Sequence, residues 1–471
     1  MSGTELASTE LPGLTGQERA ERTRRAGPVA ERLRAAGVTM VALCWVDNAG
    51  ITRVKCVPAG RLERAAGWGI GMSPVFDVFL VNDDITTSEH IGGPVGDLRL
   101  VPDLDRITVL AGQPGWAWAP VDRYTQDGRR YVGCQRSFAR RMAAVARRRG
   151  LELRMSIEVE WAVGTEEDGN FVPACHGPAY GMTRVIELSG YAREVVEALE
   201  EQGVVVEQFH PEYAAGQLEI SIAAADPVAA ADDSVLVRQT IRAVSAAHGF
   251  QASFAPSVVA GSVGNGGHVH LSLWRDGQNL LADGPGPYGL RPDGEAFAAG
   301  ILGGLPALSA VGAPSVASYL RLVPSHWAGA FQCWGRENRE AALRLVTGSD
   351  GEQDTRANLE VKCFDLAANP YLLTGSLIAA GLAGLHDRAR LPEEMPLDPA
   401  SLTAAELDRR GIRRLPQSLS EAAGCLAGEE RLREAMGDPL FRAFLAVRDA
   451  ESEMFTSANP AEVAAQTRWR W

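Results

Sequence analysis

The stretch MSIEVEWAV, residues 155–163, decides how the chain is read. Its apolar run predicts a central strand, and alternate side chains of a strand share a face, so Glu158 and Glu160 are expected to project together. Two carboxylates side by side on a buried strand repel and lose hydration unless a cation sits between them. An edge strand with a solvated acidic face is the alternative for this segment alone.

Working outward, three further segments supply matching chemistry. In FHPEYAAGQLEISI (209–222), Glu212 falls in a glycine-containing loop after His210, and Glu219 lies on the following strand. In GNGGHVHLSLW (264–274), a glycine-rich turn opens a strand with His268 and His270 on one face. Such a pair recurs in metal and nucleotide sites, and a structural histidine pair produces the same pattern. In NLEVKCFDLAANPYL (358–372), Glu360 and Lys362 share a face. Five glutamates with one or two histidines form a hard, oxygen-dominated ligand set that suits two Mg2+ or Mn2+ ions. Two such ions are what phosphoryl transfer from ATP requires, because they neutralise phosphate oxygens and align donor with acceptor. Arg321 in YLRLVP (319–324), and Arg336, Arg339 and Arg344 in GRENREAALRLV (335–346), offer planar forks that grip carboxylate or phosphate at two points.

With 471 residues and 46% apolar content, the chain can bury a large core and divide into domains. Residues 1–26 are polar and aperiodic and read as a flexible N-terminal tail or a frayed helix. Residues 27–128 read as a small β-rich domain with a hairpin turning at Asp47-Asn48-Ala49-Gly50, and 129–471 as a larger α+β domain. Helices are expected to start at Pro28 and at Asn369-Pro370. Apolar stretches are broken well before the roughly 20 residues of a bilayer span, and no signal pattern opens the chain, so a cytoplasmic protein with no membrane partner is expected. Seven scattered cysteines without a C-x-x-C pair suggest neither a disulfide framework nor a zinc knuckle, and a net charge of −13 disfavours nucleic acid. Of 46 basic residues, only Lys55 and Lys362 are lysines.

Taken in order, several motifs resemble those of the glutamine synthetase superfamily from about residue 30 onward. They are D-N-A-G-I-T-R-V-K-C-V-P (47–58), the E-V-E strand, E-Y-A-A-G-Q-L-E (212–219), N-G-G-H-V-H (265–270), Y-L-R-L-V-P, N-R-E-A-A-L-R (338–344), and E-V-K with A-A-N-P-Y-L (360–372). The resemblance implies an α+β fold: a small N-terminal β-grasp domain (27–128) before a glutamine-synthetase-type catalytic domain (129–471). It also implies homo-oligomeric stacked rings, a dodecamer, with sites completed by a neighbour's N-terminal domain. The activity implied is that of an ATP-dependent carbon–nitrogen ligase, which phosphorylates the γ-carboxylate of L-glutamate on two or more Mg2+ (or Mn2+) ions and passes the acyl group to an amine. Carried over by motif, Glu160, Glu212 and Glu219 resemble the ligands of one metal, and Glu158, His268 and Glu360 those of the other. Asn265, Gly266, Arg321 and Lys362 match glutamate-holding positions; His270, Ser272 and Arg344 lie where nucleotide is held, and Arg339 and Arg344 where phosphate is gripped.

Two departures bear on the acceptor. Glutamine-forming members of the family carry a Glu on the flap after R-L-V-P, to attract ammonium and take its proton. Here the flap reads PSHWAGAFQCWG, with Trp327 at that position, and Asp77 in GIGMSPVFDVF does not align with the family's Asp-containing loop. An indole favours an alkylammonium over small, strongly hydrated ammonium. Lys362 stands where Arg is usual. The expected acceptor is therefore an organic amine such as ethanolamine, another alkylamine or a polyamine. An ammonia-using glutamine synthetase and a catalytically silent ring protein are the alternatives. Residues 386–415 contain no Tyr, so the adenylylation loop of regulated bacterial enzymes lacks its acceptor.

Overall fold

The computed structural model describes residues 11–471; the part of the expected tail in residues 1–10 lies outside them. The chain is helical well before Pro28, because α1 (Gly16–Ala35) starts at a capping box. The Thr15 hydroxyl accepts the Glu18 N–H at 3.2 Å and the Glu18 carboxylate accepts the Thr15 N–H at 2.7 Å. Pro28 sits inside this helix rather than opening it.

β1 (Met40–Val46) and β2 (Thr52–Pro58) form the expected antiparallel hairpin, in register from Met40–Pro58 to Val46–Thr52. With β3 (Ile70–Met72), β4 (Leu98–Pro102) and β5 (Trp116–Tyr124) they build a sheet of order β2-β1-β5-β4-β3, in which β1 and β5 run parallel. α1 buries Ala26, Ala30 and Leu33 in the core over this sheet, as a β-grasp-like domain requires.

After α2 (Gln135–Arg148) the run that opened the sequence reading divides. β6 (Glu152–Ile157) and β7 (Val159–Glu167) are consecutive strands broken at Glu158, and each joins a different sheet. β7 lies between β9 (Gln217–Ile222) and β10 (Gln251–Ser253), with β8 (Val206–Pro211) beyond β9. β6 pairs with β11 (Val269–Arg275). From β11 that second sheet continues through β14 (Asn358–Val361) and β13 (Ala341–Val346) to β12 (Phe331–Arg336). Glu158 is thus at the seam of two sheets, and its N–H donates to the His268 carbonyl across it at 2.9 Å. The two carboxylates do project together, onto the one His268 ring at 2.9 and 3.8 Å, but across a break between two strands rather than from a single strand.

The helical layer behind the sheets includes α3 (Pro227–Ala247), α4 (Pro292–Gly312) and α5 (Pro370–Asp387). Against the sequence expectation, α4 is long and apolar enough by composition to cross a membrane, but 78% of its most apolar window is buried inside the protein. It packs closely on α5: a Cβ on Gly384 would fall 2.2 Å from the Ala296 carbonyl oxygen. Asn369, the expected cap of α5, accepts the N–H groups of Tyr371 and Leu372. Its amide also donates to the carbonyls of Val46 and Asp47, tying the catalytic core to the N-terminal hairpin.

Candidate active site

Two rows of side chains cross the sheets on either side of the seam, because residues opposite each other in antiparallel strands share a face. On β8-β9-β7 the row is His210, Glu219, Glu160. On β11-β14-β13 it is His270, Glu360, Arg344. Among the described residues, two groups could hold a metal ion, each with its ligand atoms within 4.8 Å of one another: His210, Glu212, Glu219 and Glu158, His270, Glu360.

In the second group Glu158 accepts the Nδ1–H of His268 at 2.9 Å and the Nε2–H of His270 at 3.0 Å. His270 also donates through Nδ1 to the Asn358 side-chain oxygen at 2.8 Å, so both ring nitrogens are donors, the arrangement of an imidazolium. Burial pulls the His270 pKa down, but the charge and hydrogen bond of Glu158 outweigh it and lift it to about 9. His268 differs: its Nε2 accepts from Arg321 at 3.0 Å, so it is held as the neutral tautomer, and burial and the Lys362 charge lower its pKa. Glu360 accepts Arg344 and Lys362 at 2.8 Å each. Burial pushes Glu360 up, yet Lys362 and His270 hold it well below the usual carboxylate range. Glu158 is likewise held low, by His270 and His268 against its burial.

In the first group, among the described residues, no Lys or Arg pairs with the carboxylates; Arg184 donates to the Glu212 backbone carbonyl at 2.6 Å. His210 lies 3.2 Å from Glu219 and 3.3 Å from Glu212. Burial and the charge of Glu158 push Glu219 up to about 8, and the hydrogen bond to Glu219 lifts His210 to about 9. The Tyr180 hydroxyl donates to Glu212, at 2.7 and 2.9 Å from its two oxygens. A divalent cation would relieve this excess of buried anion, and the all-oxygen and imidazole donors suit Mg2+ or Mn2+.

Other expected residues sort by what their side chains already hold. Asn265 spends its amide on the Ser253 and Ala255 carbonyls and its oxygen on Gln217, so its side chain braces the loop and any substrate contact falls to its backbone. Gly266 donates its N–H to Glu160 at 2.8 Å. A Cβ there would collide with His268, Glu160 and Arg321, at 2.6, 2.7 and 2.8 Å. Glu160 is thereby fixed on the loop, with burial raising its pKa, and stands 3.8 Å from His268. Arg321 donates to the Lys362 carbonyl at 3.1 Å and has its other terminal nitrogen buried without a partner. Ser272 is buried and accepts the Trp274 indole N–H at 2.8 Å. Arg339 is exposed, one residue before Glu340. Asp77 is fully buried, paired with Arg123 at 2.7 Å and bonded by the Tyr131 hydroxyl, and is not available to an amine.

The flap carries Trp327 with its ring centroid 5.3 Å from that of Tyr213, both half exposed. Tyr213 follows Glu212 directly, so an aromatic face adjoins the anionic cluster. His210, Tyr180, Gln217 and Glu340 were not among the expected site residues. Of these, His210 alone carried a visible signal, its place two residues before Glu212.

Crowded carboxylates on a two-sheet cradle, with arginines interleaved, equip an enzyme for phosphoryl transfer on divalent metals. The chain belongs to the glutamine synthetase family: the catalytic-domain model of that family matches residues 132–465, and the glutamine synthetase N-terminal domain matches 25–134. It is an ATP-dependent carbon–nitrogen ligase of that type. Gamma-glutamylpolyamine synthetase GlnA3 of Streptomyces coelicolor is 56% identical over 450 residues, 95% of this chain and 97% of that one. A glutamine synthetase of Clostridium saccharobutylicum is 29% identical over 421 residues, 88% of this chain and 92% of that one. A solved structure described as a novel glutamine synthase homolog has a TM-score of 0.81 at 33% identity, covering 91% of this chain and 97% of its own. A GmaS/ADP complex follows at 0.80 and 26%, covering 91% and 96%.

Proposed function

We propose that the protein joins the γ-carboxylate of L-glutamate to a primary amine of a polyamine. ATP donates its terminal phosphoryl group to the γ-carboxylate, ADP leaves, and the amine nitrogen then attacks the acyl carbon, expelling phosphate and losing a proton. The observation that carries the acceptor is the Trp327–Tyr213 face beside Glu212: aromatic faces and a carboxylate together attract an organic ammonium more than a hydrated ammonium ion. The relative from Streptomyces coelicolor, named for γ-glutamylpolyamine synthesis, supports the same choice.

In this reading Glu212 and Glu219, with His210 or Glu160, would hold one divalent ion, and Glu158 and Glu360, with His268, the other. These ions supply charge neutralisation at the phosphates and at the carboxylate oxygen. Imidazolium His270 and Arg344 face the transferring phosphate, Arg339 closes over it, Arg321 and Lys362 receive the glutamate carboxylate, and the backbone at Asn265 and Gly266 lines its seat. Ser272 lies on the nucleotide side as part of the strand rather than as a free hydroxyl. The assembly is proposed to be the family's ring oligomer, working in the cytoplasm.

Phosphate release measured across ammonia, methylamine, ethanolamine, putrescine, spermidine and spermine tests the acceptor, with the product mass confirming the amide. A polyamine is expected to give the highest kcat/KM; the highest value from ammonia sinks the proposal.

A further inference from the structure

The flap between Pro324 and Phe331 is held in a conformation its own residues resist. Ser325 and Trp327 have φ of 58° and 55°, in the left-handed region that non-glycine residues, bulky ones above all, occupy only when their surroundings over-determine it. Gly329 enters the same region freely, at φ 65°. A Cβ there would fall 2.9 Å from the Cα of Ala342 and 3.1 Å from the Cβ of Lys362, so the flap lies directly on β13 and Lys362.

Two carboxylates from outside the flap fix the resisting residues. Glu340 accepts the Trp327 N–H at 2.8 Å. Asp398 accepts the Ser325 hydroxyl at 2.9 Å. Glu340 is held in turn: its N–H donates to Asn338 Oδ1 at 3.0 Å, and the Asn338 amide is anchored on the Met395 and Leu397 carbonyls at 2.7 and 3.0 Å. The flap contains no acid of its own, and Glu340 belongs to the N-R-E segment that also carries Arg339.

We propose that Glu340 is the positioning residue of the acceptor half of the reaction: by gripping the backbone of Trp327 it stands the indole against Tyr213 and so builds the aromatic side of the amine subsite. This rests on reading the Trp327–Tyr213 face as the acceptor's. Glu340 acts through Trp327, its direct hydrogen-bond partner in the flap.

The test is a set of KM values for amine, glutamate and ATP, together with kcat, in Glu340→Ala, Glu340→Gln, Trp327→Ala and the Trp327→Ala/Glu340→Ala double variant. The acceptor used is the best of the wild-type panel. Losing a charge-assisted hydrogen bond, Glu340→Ala is expected to raise the amine KM about tenfold or more while the other two KM values stay within about twofold. Glu340→Gln keeps an oxygen for the Trp327 N–H and is expected to recover most of that loss. In the Trp327→Ala background, Glu340→Ala is expected to add nothing, since the pair acts as one unit. Additive losses in the double variant, or a parallel rise in all three KM values, overturn the proposal. So does a fall in kcat for Glu340→Gln at unchanged amine KM, which would make the charge rather than the grip the contribution. Backbone hydrogen exchange of residues 324–330 gives a readout without turnover: it is expected to quicken in Glu340→Ala and not in Glu340→Gln, and unchanged exchange in both overturns the grip. A wild type that prefers ammonia defeats the acceptor assignment but leaves the Glu340–Trp327 coupling measurable with ammonia, so the two failures are distinguishable.

Discussion

The two anionic clusters on either side of the seam are built from the same residue types and are electrostatically unlike. Around Glu158 and Glu360 the protein supplies its own cations, Arg344, Lys362 and a doubly donating His270, and both carboxylates are held ionised. Around Glu219 and Glu212, among the described residues, His210 is the cationic side chain against the carboxylates, Arg184 being spent on the backbone carbonyls of Glu212 and Ala214, and Glu219 is pushed up to about 8. One cluster is already paired with cationic side chains of the protein, and the other is compensated chiefly by an imidazole. The two halves of the cradle therefore differ in how far their own side chains compensate the carboxylates.

Activity is the bluntest way to break this contrast, because both clusters are needed for transfer: Glu360→Gln and Glu219→Gln are each expected to lower kcat/KM by on the order of 10³. A residual rate within tenfold of wild type in either would remove that cluster from the chemistry.

Stability sharpens it further, since the two variants are expected to differ in sign. Glu360→Gln leaves the buried Lys362 without its anion, Arg344 keeping Glu337 at 2.6 Å, and is expected to cost about 3 kcal/mol in denaturant unfolding. Glu219→Gln removes a carboxylate that the fold leaves poorly compensated, and is expected to raise the melting temperature in chelator by about 2 °C. Two losses of equal size would show the clusters to be equivalent.

Lys362→Arg probes the crowded side alone. The Lys362 side chain is 2% exposed and its Cβ lies beneath Gly329 of the flap, so a larger fork has little room. A drop in kcat/KM of about tenfold is expected, roughly 1.4 kcal/mol; unchanged kinetics would show that point charge and fork serve equally.

The gentlest probe is pH. His210 and Glu219 both have raised folded values, about 9 and about 8, against ordinary values of 6.5 and 4.5. A raised folded pKa contributes stability below the unfolded value and loses it as pH climbs through the folded one. The metal-free protein is expected to lose stability between pH 4.5 and 9, and the melting-temperature gain on adding Mg2+ or Mn2+ to grow over that window as bound protons give way to metal. A gain that stays flat with pH would place the ion elsewhere.

Much of this was legible in the amino-acid sequence, and the rest was hidden for definite reasons. The hairpin at 40–58, the cap at Asn369 and the motifs that identify the family could all be read locally, because each depends on neighbours a few positions apart. That Glu158 and Glu160 project together is legible from their spacing, whereas the change of sheet at Glu158 is not, since strand alternation assumes one strand. His210 was passed over because its partnership with Glu219 is a cross-strand register that no short motif records. The early start of α1 was available in Thr15 and Glu18, a capping box three residues apart, and was masked by the stronger habit of opening helices at proline. Glu340 left no signal at all, as nothing in N-R-E tells that its side chain reaches the flap.

The scarcity of lysine turns out to be a practical handle. Lys55 is on the exposed stretch of edge strand β2, with its ammonium on the Gly71 carbonyl at 2.6 Å, while Lys362 is sealed under the flap and paired with Glu360. An amine-reactive dye or crosslinker applied to the folded protein therefore has one open side-chain target, on the small domain. Lys362 is expected to be labelled far more slowly, so the ratio of the two labels reports how well the flap covers it.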